Sequence, residues 1–224
     1  MKMSSFNAFT QKSRVAGQSV PVWLGVVSPR PVGGVLTVPF RKAGILIPAG
    51  TPVHFDEAAG TIAPFAAWKV VSVNSSTHAI TVEASPLGVV PAAGDYLGIV
   101  GATFATTGAA AAVSSVAAGT TAGQYVFTMA SAAIDGVTAG GYVAWSSATS
   151  AGASGKSLAN QPNGYLYNDI CIDPVLAGES YDYINASGAV VDFHGEGLLI
   201  NRTPGAPFAA QLKAAIPNVI QVGF

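Results

Sequence analysis

The chain has 224 residues, half of them hydrophobic, and its ten Lys and Arg against eleven Asp and Glu leave a formal charge of −1. That length suffices for one large all-β domain or two to three small modules. Charged residues are only 9% of the total, against about 25% in ordinary soluble domains, and with no basic surplus to steer phosphate, nucleic acid is excluded as an expected partner.

Fourteen prolines and 26 glycines punctuate short runs of β-branched and aromatic residues, the pattern of strands and turns rather than helices. Residues 1–42 read as an extended arm. Pro21, Pro29, Pro31 and Pro39 recur through it, and Ser28-Pro29-Arg30-Pro31 favours polyproline-like or turn backbone. A strand over 20–27 would carry Trp23 as an anchor. Such an arm cannot fold alone and is expected to lie across a neighbour or pair with a sheet edge, with Val22, Trp23, Arg30 and Phe40 as interface candidates.

Residues 43–66 read as strand, turn, strand: Gly44-Ile45-Leu46-Ile47, the turn Pro48-Ala49-Gly50, then 51–55, closed by Asp56-Glu57-Ala58-Ala59-Gly60. Residues 67–147 carry an internal repeat with copies at about 67–100 and 101–147. Val70-Val71-Ser72-Val73, Ala79-Ile80-Thr81-Val82 and Ala93-Gly94-Asp95-Tyr96-Leu97 match Val113-Ser114-Ser115-Val116, Tyr125-Val126-Phe127-Thr128 and Ala139-Gly140-Gly141-Tyr142-Val143. The offset is 43 at the start and 46 thereafter, and each copy is expected to give a hairpin, a loop and a third strand. The Ala/Ser/Gly-rich stretch 148–160 reads as a flexible linker.

The remainder, 161–224, opens on Asn163-Gly164, the pair favoured in a type I′ hairpin turn. Strands are expected at 166–172, 180–184, 190–194 and 198–201. One helix is expected over 207–216, begun by Pro207 and stopped by Pro217. Its apolar stripe Phe208, Leu212 and Ile216 is spaced i, i+4, i+8. These three residues and Phe224 in the strand-like tail complete the interface candidates. The fold class expected is all-β, small β-barrel or sandwich modules with an N-terminal arm and one short C-terminal helix.

Chemistry-bearing motifs are incomplete. Gly155-Lys156-Ser157 is a fragment of a phosphate loop, but Ser150 stands where the first glycine belongs and Asn160-Gln161-Pro162 follows where a helix should begin. Asp192 and His194 share a strand face beside Glu196, yet a zinc site needs three or four ligands, and only His54 with Asp56, or His78, lies elsewhere to supply them. Glu179, Asp182 and Asp192 offer carboxylate pairs of the kind any chain with eleven acids contains. Cys171, alone in the chain and flanked by Ile170 and Ile172, reads as a small buried hydrophobe. No run of about 18 apolar residues marks a membrane helix, and residues 1–14 are polar with no apolar signal core. The expectation is a non-enzymatic protein with no catalytic, cofactor-binding or metal residues, made in a cytosol, whose weakly charged surface suits packing in an assembly.

Several segments are similar to parts of tailed-phage capsid decoration and head-fibre proteins, including those of crAss-like phages. They are Ile-Leu-Ile-Pro-Ala-Gly-Thr-Pro-Val-His-Phe at 45–55, Gly-Tyr-Leu-Tyr-Asn-Asp-Ile at 164–170, Gly-Ala-Val-Val-Asp-Phe-His-Gly-Glu-Gly-Leu-Leu at 188–199, and Ala-Ala-Ile-Pro-Asn-Val-Ile at 214–220. The resemblance implies a discontinuous β-domain, 43–66 with 161–224, that anchors on the major capsid protein at the capsid exterior, with 67–147 inserted. It implies a homo-oligomer, a dimer or a trimer with the trimer favoured, and no enzymatic residues. A carbohydrate-binding fibre module is the alternative; exposed coplanar Trp or Tyr at the tip of 67–147 would mark it.

Overall fold

Alternation decides which side of each strand is buried. In Ala79–Glu83, Ile80 and Val82 are fully buried while Ala79 and Thr81 are half-exposed and Glu83 is exposed. The computed structural model describes residues 23–25, 34–40, 46–101, 104, 106–132, 134–153, 158–166, 170–171, 185–186, 189–191, 197–200, 208–216 and 219–222. Its strands are β1 (Trp23–Gly25), β2 (Gly34–Leu36), β3 (Leu46–Ile47), β4 (Pro52–Asp56), β5 (Thr61–Pro64), β6 (Ala67–Asn74), β7 (Ala79–Glu83), β8 (Tyr96–Val100), β9 (Thr106–Ala118), β10 (Gln124–Met129), β11 (Tyr142–Trp145), β12 (Gly164–Leu166), β13 (Ile170–Cys171), β14 (Asn185–Ala186), β15 (Ala189–Val191), β16 (Gly197–Ile200) and β17 (Val219–Val222). A 3-10 turn covers Val38–Phe40, and one helix, α1, covers Ala209–Ala215. The protein is all-β, with a single short helix among its described residues, near the C-terminus, as its punctuation by Gly and Pro leads one to expect.

The strands form a closed six-stranded barrel, a six-stranded mixed sheet and two smaller sheets. Around the barrel the order is β10-β7-β6-β11-β8-β9, and every pairing is antiparallel. The mixed sheet runs β14-β2-β5-β4-β12-β15, with only β2 and β5 parallel. The barrel lies in sequence between β5 and β12 of that sheet, and its first and last strands are neighbours, Ala67 opposite Ala144.

The barrel has a pseudo-two-fold axis visible in its registers. Strands β6, β7 and β8 occupy the places of β9, β10 and β11. Val70 pairs Val82, and after a bulge Ser72 pairs Thr81 and Val73 pairs Ile80; Val113 pairs Met129, and after a bulge at the same rung Ser115 pairs Thr128 and Val116 pairs Phe127. Tyr142 and Val143 face Lys69 and Trp68 as Tyr96 and Leu97 face Ala112 and Ala111. Loop hydrogen bonds repeat as well. Gly94 N–H donates to the Val113 carbonyl and Val113 N–H to that of Asp95; Gly140 N–H donates to Val70 and Val70 N–H to Gly141, all at 2.8 Å.

One expectation about the repeat needs correction. The second strands superpose at an offset of 47, not 46, so Ile80 and Val82 match the buried Phe127 and Met129. A one-residue slip turns every side chain to the other face, and Val126, matched to Ile80 by sequence, is half-exposed.

Trp68, fully buried, centres the barrel core. Its Nε1 donates to the Val89 carbonyl at 3.1 Å, and its ring meets Phe127 and Trp145 edge-on, with centroids 5.5 and 4.8 Å away. Trp145 in turn meets Phe40 at 6.0 Å and donates from Nε1 to Asp95 Oδ2 at 2.8 Å. Leu36 and Phe40 join the same core, so residues 34–40, the described end of the segment read as an arm, belong to the mixed sheet and its core. The rest of that segment, apart from β1, which pairs with β16, lies outside the described residues.

A second cluster, Phe65, Phe104, Ala144, Leu158, Tyr165, Phe208, Leu212 and Ile216, joins barrel, sheet and helix. The stretch read as a flexible linker is tied to the barrel on both sides of its undescribed centre. Ala110 N–H donates to the Ala153 carbonyl and Gly152 N–H to that of Ala110; Leu158 N–H donates to Phe104 and Ala159 N–H to Trp145. Its composition resembles a linker because these contacts use backbone, which any side chain permits.

Asn163 and Gly164 do not form the expected hairpin turn. Neither has positive φ, and Gly164 begins β12. The Asn163 side chain instead accepts from Phe55 N–H at 2.8 Å and donates to the Phe55 carbonyl at 2.9 Å. The amide stands in for one rung of backbone ladder beside β4.

Candidate functional site

Because β6 alternates, Trp68 and Val70 enter the barrel core while Ala67 and Lys69 face out. Lys69 lies directly opposite Tyr142 on β11, and its Nζ donates to Glu83 Oε1 at the end of β7, 2.9 Å away. Both side chains stay in water, 43% and 51% exposed. The hydrogen bond to Glu83 and then that carboxylate's charge hold the Lys69 ammonium protonated, raising its pKa above the ordinary 10.5.

After Glu83 the chain turns through Ala84-Ser85-Pro86-Leu87, where Ser85 is buried and its Oγ accepts from Leu87 N–H at 3.3 Å. Across from this turn stand Thr51 and Pro52 at the start of β4, and Phe65 just after β5. Phe208, at the N-terminus of α1, completes the arrangement: its ring meets Tyr142 at 4.9 Å and Phe65 at 5.4 Å, both edge-on. Together these residues line a cleft of about 170 Å³ between the barrel, the mixed sheet and the helix. Its floor is aromatic and its mouth carries the Lys69–Glu83 pair. Nothing in the sequence marks Lys69, Glu83 and Tyr142 as a group, because they come from three strands and meet only through the barrel's pairing.

Of the interface candidates, Phe40, Phe208, Leu212 and Ile216 are between 1% and 7% exposed within this chain. An apolar stripe at i, i+4, i+8 identifies a face that must be covered; here the chain's own second cluster covers it, while Phe40 lies in the barrel core. Trp23 lies in β1, while Val22, Arg30 and Phe224 lie outside the described residues. So do Gly155-Lys156-Ser157, Glu179, Asp182, Asp192, His194 and Glu196.

His54 and Asp56 have structural partners: His54 Nδ1 bonds the Gln161 carbonyl at 2.8 Å, and Asp56 Oδ1 accepts from Ala58 and Ala59 N–H, both at 3.0 Å, closing the turn to Gly60. His78 sits at positive φ in the β6–β7 turn and offers its carbonyl to Met129. Among the described residues, no three His, Cys, Asp or Glu side chains converge, and no helix is long and apolar enough to cross a membrane. Cys171 pairs opposite Leu46 in the small β3–β13 sheet. No protein-family model, no curated protein and no solved structure matches this chain.

Proposed function

We propose that this chain is a non-enzymatic structural protein of a phage virion, bound to the exterior of the capsid through the major capsid protein and acting there as a homo-oligomer, a trimer rather than a dimer. The observation that carries the reading is the mounting of the barrel. It is a closed unit whose first and last strands are neighbours, set between two strands of a mixed sheet that draws its other strands from both ends of the chain. A decoration protein needs this division: a platform to dock and a module to project. Two further features support it. The polar side chains His54, Asp56, Asp95, Trp68, Trp145 and Asn163 are all bonded within the chain, and the low charge suits a surface that is covered by neighbours. The resemblance of 45–55, 164–170, 188–199 and 214–220 to decoration and head-fibre proteins points the same way.

The test is cosedimentation of the full chain with empty capsids assembled from the major capsid protein of the same genome. Saturable binding is expected, lost when residues 1–33 are removed, with a solution mass three times that of the chain. An interface of ordinary size would bury on the order of 1,600 Å², and many copies per particle add avidity. No cosedimentation, or binding unchanged by the truncation, would sink the proposal.

A further inference from the structure

The barrel's internal duplication supplies its own control. Whatever the fold requires should recur in both halves, and whatever occurs in one half alone is free for another purpose. At the outer rung where Lys69, Glu83 and Tyr142 meet, the other half has Ala112, Ala130 and Tyr96. The tyrosine is shared and the charges are not. The barrel therefore closes equally well with two alanines, and an exposed ion pair adds little to stability. The surroundings differ too. Two residues along β9 from Ala112, residues 152–153 hydrogen-bond to Ala110, whereas the Lys69 side opens onto the aromatic cleft.

We propose that this cleft binds one neutral sugar ring, its C–H face against the half-exposed Tyr142 ring beside the buried Phe65 and Phe208, and its hydroxyl edge toward Lys69 and Glu83. Size sets the first limit. About 170 Å³ is close to the roughly 150 Å³ of a cavity that holds a benzene ring, and below the roughly 300–1,000 Å³ of pockets that enclose drug-sized ligands; one six-membered ring fits and the rest of a glycan projects outward. Charge sets the second. Lys69 and Glu83 neutralise each other, so neither a phosphate nor a carboxylate finds an unopposed cation. Desolvation sets the third. A wholly apolar occupant, such as a partner's leucine, would strip water from the ammonium and carboxylate without replacing its hydrogen bonds. Hydroxyls at the ring's edge both donate and accept, and so replace them.

The site lies at the foot of the barrel rather than at its tip. Trp68 and Trp145 are engaged in the core, so no tryptophan platform stands on the described barrel surface. The inference is independent of capsid docking: a chain that binds sugar but not capsids, or the reverse, separates the two.

Saturation-transfer NMR on the full chain with glucose, galactose, mannose, rhamnose and N-acetylglucosamine, each at millimolar concentration, tests it. Transfer to ring C–H protons of at least one sugar is expected. The double variant Lys69→Ala/Glu83→Ala, which copies the other half, is expected to keep the wild-type melting temperature and to weaken binding tenfold or more. Lys69→Met and Glu83→Gln singly provide the same comparison should the double variant fold poorly, and Asn74→Ala on the β6–β7 turn is expected to bind as wild type. Absence of transfer from every sugar, undiminished binding in the folded variants, or stronger binding of N-acetyl-leucinamide than of any sugar would overturn the proposal.

Discussion

Replacing Leu212 by alanine separates two roles for the C-terminal apolar stripe, an anchor for a partner or a seat in this chain's own core. Leu212 is 1% exposed, in a cluster with Phe65, Phe104, Tyr165 and Phe208. Truncating a leucine so enclosed costs about 2–5 kcal/mol, the lost transfer of its methyl groups plus the cavity left behind. The helix has only seven residues, too few to persist without tertiary contacts, so losing this contact also loosens Phe208 and Ile216 and places the cost above the bottom of that range, at about 3–5 kcal/mol. For a chain of this size each kcal/mol lowers the melting temperature by about 2–4 °C, so calorimetry should show a fall of at least 6 °C or so. Ala214, two residues on and exposed, is the control: Ala214→Gln should stay within about 0.5 kcal/mol of wild type. Equal melting temperatures for the two variants would mean that the stripe is not seated in the core, and the physical account of the second cluster would be wrong.

Gly94 and Gly140 hold equivalent loop positions at φ +94° and +85°, with nothing within 4 Å of the place a methyl group would take. Each Gly→Ala change should cost about 1–2 kcal/mol in backbone strain alone, the two alike and additive in urea titrations; a neutral change in one half would break the two-fold argument. Asn163→Ala removes both hydrogen bonds to Phe55 and should cost about 1–3 kcal/mol by denaturant unfolding. Asn163→Asp keeps the acceptor but sets a carboxylate oxygen against the Phe55 carbonyl in place of the donor, and should cost at least as much as alanine. Lys69 carries a raised pKa in the folded state, so its contribution is fully present below the unfolded value near 10.5 and is lost as pH rises through the folded value. Melting curves of wild type and Glu83→Gln should differ only slightly below that range, because the pair is exposed, and converge across it; a difference that persists above it would refute the linkage.

Much of the local structure is legible in the sequence. Gly and Pro punctuation, together with short β-branched runs, calls for an all-β chain, and Phe208, Leu212 and Ile216 between Pro207 and Pro217 mark the one helix. The repeat is legible in Val70 and Val113, or Tyr96 and Tyr142, because local patterns survive duplication. Its second strand is misaligned by one residue because Ile80-Thr81-Val82 and Val126-Phe127-Thr128 are both built throughout of strand-forming β-branched and aromatic residues, and only burial identifies the inward face. Asn163 misleads for a related reason: Asn-Gly is a turn signal by itself, but a neighbouring strand end offers the amide better partners in the Phe55 backbone.

Tertiary structure alone decided what the elements do together. Pairing β7 with β10, β6 with β11, and β8 with both β9 and β11 closes the two copies into one barrel, and no residue announces a partner as far along the chain as Tyr142 is from Lys69. The same closure brings Lys69, Glu83 and Tyr142 to one rung, and the helix brings Phe208 to them. Sequence determines which faces must be buried, since that is a matter of local period and side-chain chemistry. Which surface buries them is settled by long-range pairing, whose free energy is spread over many weak contacts and leaves no local mark.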